Sequence, residues 1–284
     1  MPGAPARVSW ELGGPRGMFS AMQAYEREFV DLLVRYQAIR FGDFTLKSGR
    51  RSPYFVNAGQ LRSGAAIAGI GQAYAAAIER AALPCDLVFG PAYKGISLAI
   101  STAMALSRGQ GDVPFGFDRK EEKDHGEGGW FVGTTPGDGM RVVIVDDVVT
   151  SGQSIRAAIA LLKRAADIEV SGVVVAVDRQ ERGRTGNKST LHELQEELGV
   201  DIHPIVTVRE LVDDLRERRV DGVDALDDAR YREIDAYLRT HACGCDAKPL
   251  VGQSAHTTPA LFAQTHVPPR ETRKAPSQSP SSAT

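Results

Sequence analysis

Apolar and polar residues alternate along this chain with two different periods, and the period changes from segment to segment. An apolar stripe over 25–36 recurs at helical spacing and predicts a first amphipathic helix. Runs of β-branched residues over 142–145 and 171–177 predict strands that are buried on both faces. The same criteria predict further helices over 65–82, 95–106, 155–162, 191–198, 208–218 and 228–239, and further strands over 86–89, 113–117 and 202–206. Because strands alternate with helices, the pattern predicts an α/β fold with a mostly parallel central sheet flanked by helices.

The two ends of the chain lack this periodicity. Residues 1–20 are rich in Gly and Pro, and from 242 onward Pro, Ser, Thr and Ala dominate. Segments of this composition bury too little apolar surface to offset the entropy lost on ordering. We therefore predict a flexible extension over 1–20, one domain over 21–241 and a disordered tail over 242–284.

Neither composition nor charge points to a membrane or nucleic-acid partner. The 284 residues include 34 basic and 36 acidic side chains, a formal net charge of −2, so no overall field attracts nucleic acid. The chain begins without the apolar run of a signal peptide, and no stretch approaches the ~18 apolar residues of a membrane span. Three cysteines are too few for a disulfide framework, and Cys243, Cys245 and His241 offer fewer ligands than a structural zinc site uses. We expect a soluble protein of a reducing cytoplasm.

A pair of carboxylates and a small polar turn follow the predicted strand over 142–145. Asp146 and Asp147 stand at the end of the strand, and Thr150, Ser151 and Gly152 lead into the next helix. Ligands of open α/β sheets bind beyond the carboxyl ends of strands, where backbone N–H groups of a helix N-terminus hold a phosphate. Carboxylates repel a phosphate but accept hydrogen bonds from a diol. The sequence thus predicts a sugar-phosphate site, although an acid pair taken alone is more often a strand end with a helix cap.

Two further segments have residues suited to a diphosphate. Residues 90–96, Gly-Pro-Ala-Tyr-Lys-Gly-Ile, follow the strand over 86–89, and their small residues allow close backbone approach to an anion. An ordinary strand-to-helix turn is the equally simple interpretation. Residues 118–129 form a charge run with four basic side chains and three glycines, which is typical of a solvated surface loop. The same composition suits a mobile basic lid over a diphosphate leaving group.

The remaining candidate residues lie on a predicted hairpin and at another strand end. Residues 41–46 and 53–57 flank a basic tip that contains Lys47, and the return strand includes Tyr54, Phe55 and Val56. The aromatic residues there suit a planar heterocycle or, equally, the core. Arg179 follows the strand over 171–177. A guanidinium there can fork onto a carboxylate of a ligand, or form a salt bridge to a neighbouring helix.

Together and in this order, these motifs resemble those of the type I phosphoribosyltransferases. The acid pair and turn are similar to the phosphoribosyl-pyrophosphate (PRPP) motif of that group. The lid pattern over 119–129, Arg-Lys-x-x-Lys-Asp-His-Gly-Glu-Gly-Gly, resembles the orotate phosphoribosyltransferase family in particular. The matches span roughly 22–240. The resemblance implies the type I phosphoribosyltransferase fold with a small hood and a mobile catalytic loop. It also implies transfer of the 5-phosphoribosyl group from PRPP to orotate, giving orotidine 5′-phosphate and diphosphate in de novo pyrimidine (UMP) biosynthesis.

The resemblance also implies a role for each matching residue. Catalysis would fall to Lys123, His125, Arg119 and Lys120. PRPP would be bound by Lys47, Tyr93, Lys94, Arg119, Lys120, Lys123, His125, Asp146, Asp147, Val148, Val149, Thr150, Ser151, Gly152, Gln153 and Ser154. Orotate would be bound by Phe55, Val56, Thr150 and Arg179, with Lys47 flanking the base and Arg179 facing the orotate carboxylate. Mg²⁺ would be held mainly by PRPP and diphosphate, without dedicated protein ligands. The lid would reach the neighbouring subunit's site in a homodimer. Many relatives have a second aromatic residue where this chain has Val56.

Two other functions use part of the same pattern. A PRPP-sensing transcriptional regulator keeps the acid pair, but the near-neutral charge and the short N-terminal extension leave no place for a helix-turn-helix. A phosphoribosyltransferase for another base is opposed by the Lys47 hairpin and the Arg179 segment.

Overall fold

The computed structural model describes residues 22–46, 49–123, 129–183, 185–186 and 188–243, with only the backbone of Glu122 and Lys123. Some of the predictions fall outside the described residues: the extension over 1–20, the tail from 244 onward, Lys47 and His125. The helices are α1 Ala24–Arg35, α2 Gly64–Arg80, α3 Lys94–Gln110, α4 Gln153–Ala165, α5 Thr190–Leu198, α6 Val208–Glu217 and α7 Asp228–His241. The strands are β1 Ile39–Thr45, β2 Arg51–Val56, β3 Leu87–Phe89, β4 Phe115–Lys123, β5 Gly129–Gly133, β6 Arg141–Asp146, β7 Glu169–Asp178 and β8 Ile202–Thr207.

The main sheet has the strand order β5-β4-β3-β6-β7-β8. Strands β4, β3, β6, β7 and β8 are parallel, and β5 alone runs antiparallel to its neighbour β4. The predicted α/β fold with a mostly parallel sheet is confirmed. Parallel strands place their carboxyl ends at one edge, so the segments that follow β3, β6 and β7 meet there.

Alternation along β6 divides the core between the two faces of the sheet. Val143 and Val145 pack into the cluster that includes residues of α1, α2, α3 and α6. Val142 and Ile144 pack into a second cluster with residues of α4 and α5. All four side chains are fully buried, which explains why β6 is apolar without interruption.

Two strand segments lie between the strands predicted over 113–117 and 142–145, where the sequence pattern predicted none. Strand β4 continues through the charged residues as far as Lys123, and β5 returns beside it with Phe117 opposite Val132 and Asp118 opposite Phe131. The Phe131 ring packs edge-on against Phe89 with the ring centres 6.1 Å apart. The charged side chains of this hairpin show no strand pattern in the sequence. Its stability comes instead from backbone pairing at the sheet edge and from aromatic packing.

Strands β1 and β2 form a separate two-stranded antiparallel sheet, the hood, with Arg40 opposite Phe55. The Tyr54 side chain of the hood is fully buried and meets the Tyr237 ring of α7 edge-on, with the ring centres 5.8 Å apart. The hairpin predicted over 41–57 is confirmed on both sides of its tip. In the part of the chain that is described, no helix has the length and apolarity to cross a membrane.

Candidate active site

The acid pair is held in place by a hydrogen bond within the pair and by neighbours on α2 and α4. Asp146 and Asp147 are 7% and 9% exposed. Asp146 Oδ1 accepts a hydrogen bond from the Asp147 backbone N–H at 2.9 Å, and Oδ2 accepts one from the Ser154 hydroxyl at 2.5 Å. The Tyr74 hydroxyl of α2 donates to the Asp146 carbonyl oxygen at 2.6 Å. Burial raises the pKa of Asp146 above its usual value. These contacts fix two hydrogen-bond acceptors where β6 ends.

The turn between β6 and α4 leaves backbone N–H groups for an anion. Gly152 precedes α4 with a left-handed φ of 69°, and no side chain of the described residues caps the helix there. A Cβ on Gly152 would lie 2.7 Å from the Leu194 methyl carbons of α5, so glycine is required for space as well as for φ. Thr150, Ser151 and Ser154 are exposed at this turn. The first backbone N–H groups of an α-helix have no partner within the helix, so the start of α4 suits an anion.

Arg156 supports the same turn from α4. Its Nη1 donates to the Ser151 carbonyl oxygen at 2.5 Å, and its Nε donates to Glu197 of α5 at 2.6 Å. Val148 and Val149 of the predicted PRPP motif are half-buried, and Val149 packs against the α4 side of the core. Nothing in the sequence indicated this role for Arg156, because its partner Glu197 lies on another helix, 41 residues further along the chain.

The loop after β3 comes directly to the acid pair. The Lys94 ammonium forms an ion pair with the Asp147 carboxylate. Gly90 and Gly95 approach each other so closely that a Cβ on Gly90 would lie 1.9 Å from the Gly95 carbonyl oxygen. The peptide between Ala92 and Tyr93 is cis. The structure therefore brings together two motifs that are separate in the sequence, and it puts a cation beside the carboxylates.

The first residues of the predicted lid lie near the same loop. Lys120 on β4 places its ammonium 5.6 Å from the centre of the Tyr93 ring, and Tyr93 is 74% exposed. Arg119 is half-buried, and Asp118 accepts a hydrogen bond from the Ala92 N–H at 2.6 Å. Lys120 thus faces the Tyr93–Lys94 loop of its own chain. The Lys123 side chain and His125 lie outside the described residues.

Arg179 follows β7 and lies against the hood. Its guanidinium carbon is 5.2 Å from the centre of the Tyr54 ring, and its Nη2 donates to Glu181 at 2.6 Å. Ala176, near the end of β7, donates its N–H to the Asp147 carbonyl oxygen at 2.8 Å, which brings the end of the strand that precedes Arg179 beside the acid pair.

Phe55 is not on the Arg179 side of the hood. Its ring stacks on Phe44 with the centres 5.6 Å apart and is covered by the Arg40 guanidinium at 5.8 Å. Successive side chains of a strand point to opposite faces, so Tyr54 and not Phe55 shares a face with Arg179. Val56 is partly buried against the core. The sequence analysis placed Tyr54 among the aromatic residues of the return strand but assigned base binding to Phe55 and Val56 instead.

The mostly parallel sheet, with an acid pair, a glycine turn and a lysine loop at the carboxyl ends of its strands, points to the class of the phosphoribosyltransferases. The phosphoribosyl transferase domain family matches residues 58–197. Orotate phosphoribosyltransferase of Methylococcus capsulatus is 47% identical over 213 residues, 74% of this chain and 98% of that protein. The Bifidobacterium longum enzyme of the same name is 45% identical over 221 residues, 75% of this chain and 96% of that protein. The crystal structure of orotate phosphoribosyltransferase from Francisella tularensis aligns with a TM-score of 0.64 at 31% identity, covering 75% of this chain and 98% of that one.

The chain belongs to the orotate phosphoribosyltransferase family. It is accordingly a pentosyltransferase, and the resemblance stated from the sequence motifs is confirmed. These relatives share one name, and the chain is 45–47% identical to them over nearly their whole length. This identity favours the orotate phosphoribosyltransferase family over a transcriptional regulator or an enzyme for another base.

Proposed function

We propose that this chain transfers the 5-phosphoribosyl group of PRPP to orotate, giving orotidine 5′-phosphate and diphosphate in de novo pyrimidine biosynthesis. The Lys94–Asp147 ion pair is the observation on which the proposal depends, because it joins the diphosphate loop to the acid pair. In this proposal the turn over 150–154 holds the 5′-phosphate. Asp146 and Asp147 accept hydrogen bonds from the ribose hydroxyls, and Tyr93 and Lys94 line the diphosphate.

Orotate lies between the acid pair and the hood in this proposal. Arg179 meets the orotate carboxylate, and its position over Tyr54, with one N–H group that has no partner among the described residues, supports that role. Thr150 and Lys47 complete the base site. Phe55 and Val56 contribute through their backbone, because the Phe55 ring packs on the other face of the hood and the Val56 side chain is partly buried against the core.

The reaction needs stabilisation of the departing diphosphate. Positive charge develops at the anomeric carbon as negative charge grows on the leaving group, so cations must be in place at the diphosphate before the bond breaks. Arg119, Lys120, Lys123 and His125 supply these cations, and His125 transfers a proton to the diphosphate. Closure of the lid excludes water, which would otherwise screen the cations and intercept the ribosyl group.

Mg²⁺ fits this site as a substrate-borne ion. Within the described ranges, no group of three or more His, Cys, Asp or Glu side chains is arranged to hold a metal. Mg²⁺ commonly keeps several waters and binds one or two carboxylates together with substrate phosphates. In this proposal PRPP and diphosphate hold the ion, Asp146 and Asp147 accept hydrogen bonds from the ribose hydroxyls beside it, and the bound ion would add positive charge at the diphosphate.

The active protein in this proposal is a cytoplasmic homodimer in which the lid of one subunit closes on the site of the other. Mixing two inactive variants tests the shared site. Lys123→Ala impairs the lid, and Asp147→Asn impairs the ribose site. If subunits exchange at random, half of the dimers are mixed and one of their two sites is intact, so about a quarter of the wild-type activity returns. A lid that acts within its own subunit restores none.

The reaction itself is tested by following the absorbance of orotate with the purified full chain and PRPP, with and without Mg²⁺. We expect loss of orotate absorbance that requires both PRPP and Mg²⁺. Uracil and adenine in place of orotate serve as controls for the base. Orotate that stays unconverted, or a preference for another base, would refute the proposal.

A further inference from the structure

Glu181 connects three parts of the chain around Arg179. Its Oε1 accepts hydrogen bonds from Arg179 Nη2 at 2.6 Å and from the Tyr237 hydroxyl at 2.8 Å. Its Oε2 accepts one from Arg50 Nη1 at 3.1 Å. These donors come from the segment after β7, from α7 and from the hood. One carboxylate therefore ties Arg179 to the two elements that enclose it.

The backbone of Glu181 is fixed as firmly as its side chain. The Thr190 N–H donates to the Glu181 carbonyl oxygen at 3.0 Å, and Glu181 forms an isolated antiparallel bridge with Ala242. The side chains of Arg179 and Glu181 are 15% and 16% exposed, so solvent screens their ion pair less than a surface pair. The carboxylate cannot move far without breaking several contacts.

The charges around Glu181 leave one positive charge for a ligand. Arg50 and Arg179 contribute two, and Glu181 cancels one. A buried cation is tolerated when it is paired, and the charge that remains matches the single carboxylate of a pyrimidine carboxylic acid.

The contacts of Arg179 fix the orientation of its guanidinium and leave some of its N–H groups for a ligand. The Tyr54 ring covers one face of the guanidinium at 5.2 Å, and Glu181 binds Nη2. The Nε atom is buried and has no hydrogen-bond partner in the described part of the chain. Since a guanidinium has five donors in a rigid fork, an anchor at one corner and a ring on one face set the direction of the others.

We propose that Glu181 is a positioning residue for orotate selection: it anchors Arg179 so that the remaining N–H groups of the guanidinium meet the carboxylate of the base. This inference rests on the proposed role of Arg179 as the reader of that carboxylate. Glu181 does not touch the substrate, and its effect passes entirely through Arg179.

A double-mutant cycle tests this directly. The full-length variants Glu181→Gln, Arg179→Ala and the double variant are assayed by orotate absorbance with Mg²⁺. Glu181→Gln should raise the KM for orotate about 10-fold and leave the KM for PRPP within about twofold, because a neutral amide oxygen holds the guanidinium less strongly than a carboxylate does. The double variant should be no worse than Arg179→Ala, since the two residues act as one unit.

Two further variants keep the test decisive. Glu196→Gln removes an exposed glutamate whose partner is Lys188, and it should behave as wild type. Tyr237→Phe removes one hydrogen bond to Glu181 and retains both charges, so it should raise the orotate KM by less than Glu181→Gln. If thermal unfolding shows that Glu181→Gln does not fold, Tyr237→Phe still tests the positioning role of Glu181.

The failures of the two proposals can be told apart. Wild-type protein that leaves orotate unconverted would overturn the proposed function. Active wild type with an impaired Arg179→Ala but a normal Glu181→Gln would overturn only the positioning role. A lower orotate KM in Glu181→Gln, an equal rise in both KM values, or additive losses in the double variant would overturn it as well.

Discussion

The Lys94 ammonium and the Asp147 carboxylate form an ion pair between two loops that belong to different strands of the sheet. Asp147 is nearly buried, whereas the Lys94 side chain is 59% exposed. The pair therefore neutralises a carboxylate that has little water around it, and its cation stays accessible to an incoming diphosphate.

Replacement of Lys94 by alanine should impair PRPP use. The variant leaves Asp147 without its cation and removes a positive charge from the proposed diphosphate site, so we expect the KM for PRPP to rise about 10-fold or more. Initial rates at varied PRPP measure this. Lys163→Ala, an exposed lysine on α4, is the control and should change neither substrate's KM. An unchanged KM for PRPP in Lys94→Ala would contradict the assignment.

Asp146 should make the protein less stable as the pH rises. Burial raises its folded-state pKa, so its contribution to stability is fully present below the unfolded pKa and is lost as the pH rises through the folded pKa. Asp146→Asn keeps the size of the side chain and removes this charge. We expect a higher unfolding midpoint than wild type at pH 7, a smaller difference toward acid pH, and a loss of PRPP turnover.

Thermal unfolding of both proteins, measured from about pH 4 to about pH 8, provides the comparison, because carboxyl groups with a raised pKa titrate within roughly this range. Asp112→Asn, at an exposed position, is the control and should show no such trend. A midpoint for Asp146→Asn below that of wild type at pH 7 would show that the charge is not destabilising.

Gly152 and Gly199 allow backbone strain to be separated from steric overlap. Both have a left-handed φ, 69° and 63°, but a Cβ on Gly199 has open space around it, whereas one on Gly152 meets Leu194. Gly199→Ala should cost about 1–2 kcal/mol of unfolding free energy from φ alone and retain activity. Gly152→Ala should cost more and also weaken PRPP binding, because the turn must shift. Equal losses of stability and equal activity in the two variants would argue against a packed turn.

Tyr74 should support the acid pair from α2. Tyr74→Phe removes the hydrogen bond to the Asp146 carbonyl oxygen from a fully buried position, with an expected cost of about 0.5–1.5 kcal/mol. Denaturant unfolding measures this cost, and Tyr36→Phe at the end of α1 is a suitable control. Stability equal to wild type would mean that the contact contributes nothing.

Lys123 is expected to act on the departing diphosphate. Lys123→Ala should lower kcat about 10²–10³-fold with a smaller change in the KM for orotate, as is typical of a lost contact to developing charge. Steady-state rates at saturating substrate concentrations measure the change in kcat, and Lys163→Ala is again the control. Near-normal turnover would refute the role of Lys123.

Local pattern alone was enough to predict most of the elements. The β-branched run of β6 and the apolar stripes of the helices repeat with the period of the structure they form, so their type follows from neighbours along the chain. The charged part of β4 and the whole of β5 could not be predicted in this way. Their pairing depends on contacts such as Phe131 with Phe89, which are distant in the sequence.

The sequence by itself determined which residues are candidates for the chemistry: the acid pair with its turn, the Lys94 loop, the lid and Arg179 each follow a predicted element in the chain. Only the tertiary structure decided which of them meet. It paired Lys94 with Asp147, turned Tyr54 rather than Phe55 toward Arg179, and placed Glu181 among Arg179, Arg50 and Tyr237. The physical reason is the separation along the chain of the residues that interact. Secondary structure reflects interactions between near neighbours, whereas these contacts depend on strand order and on which face of a strand each side chain occupies.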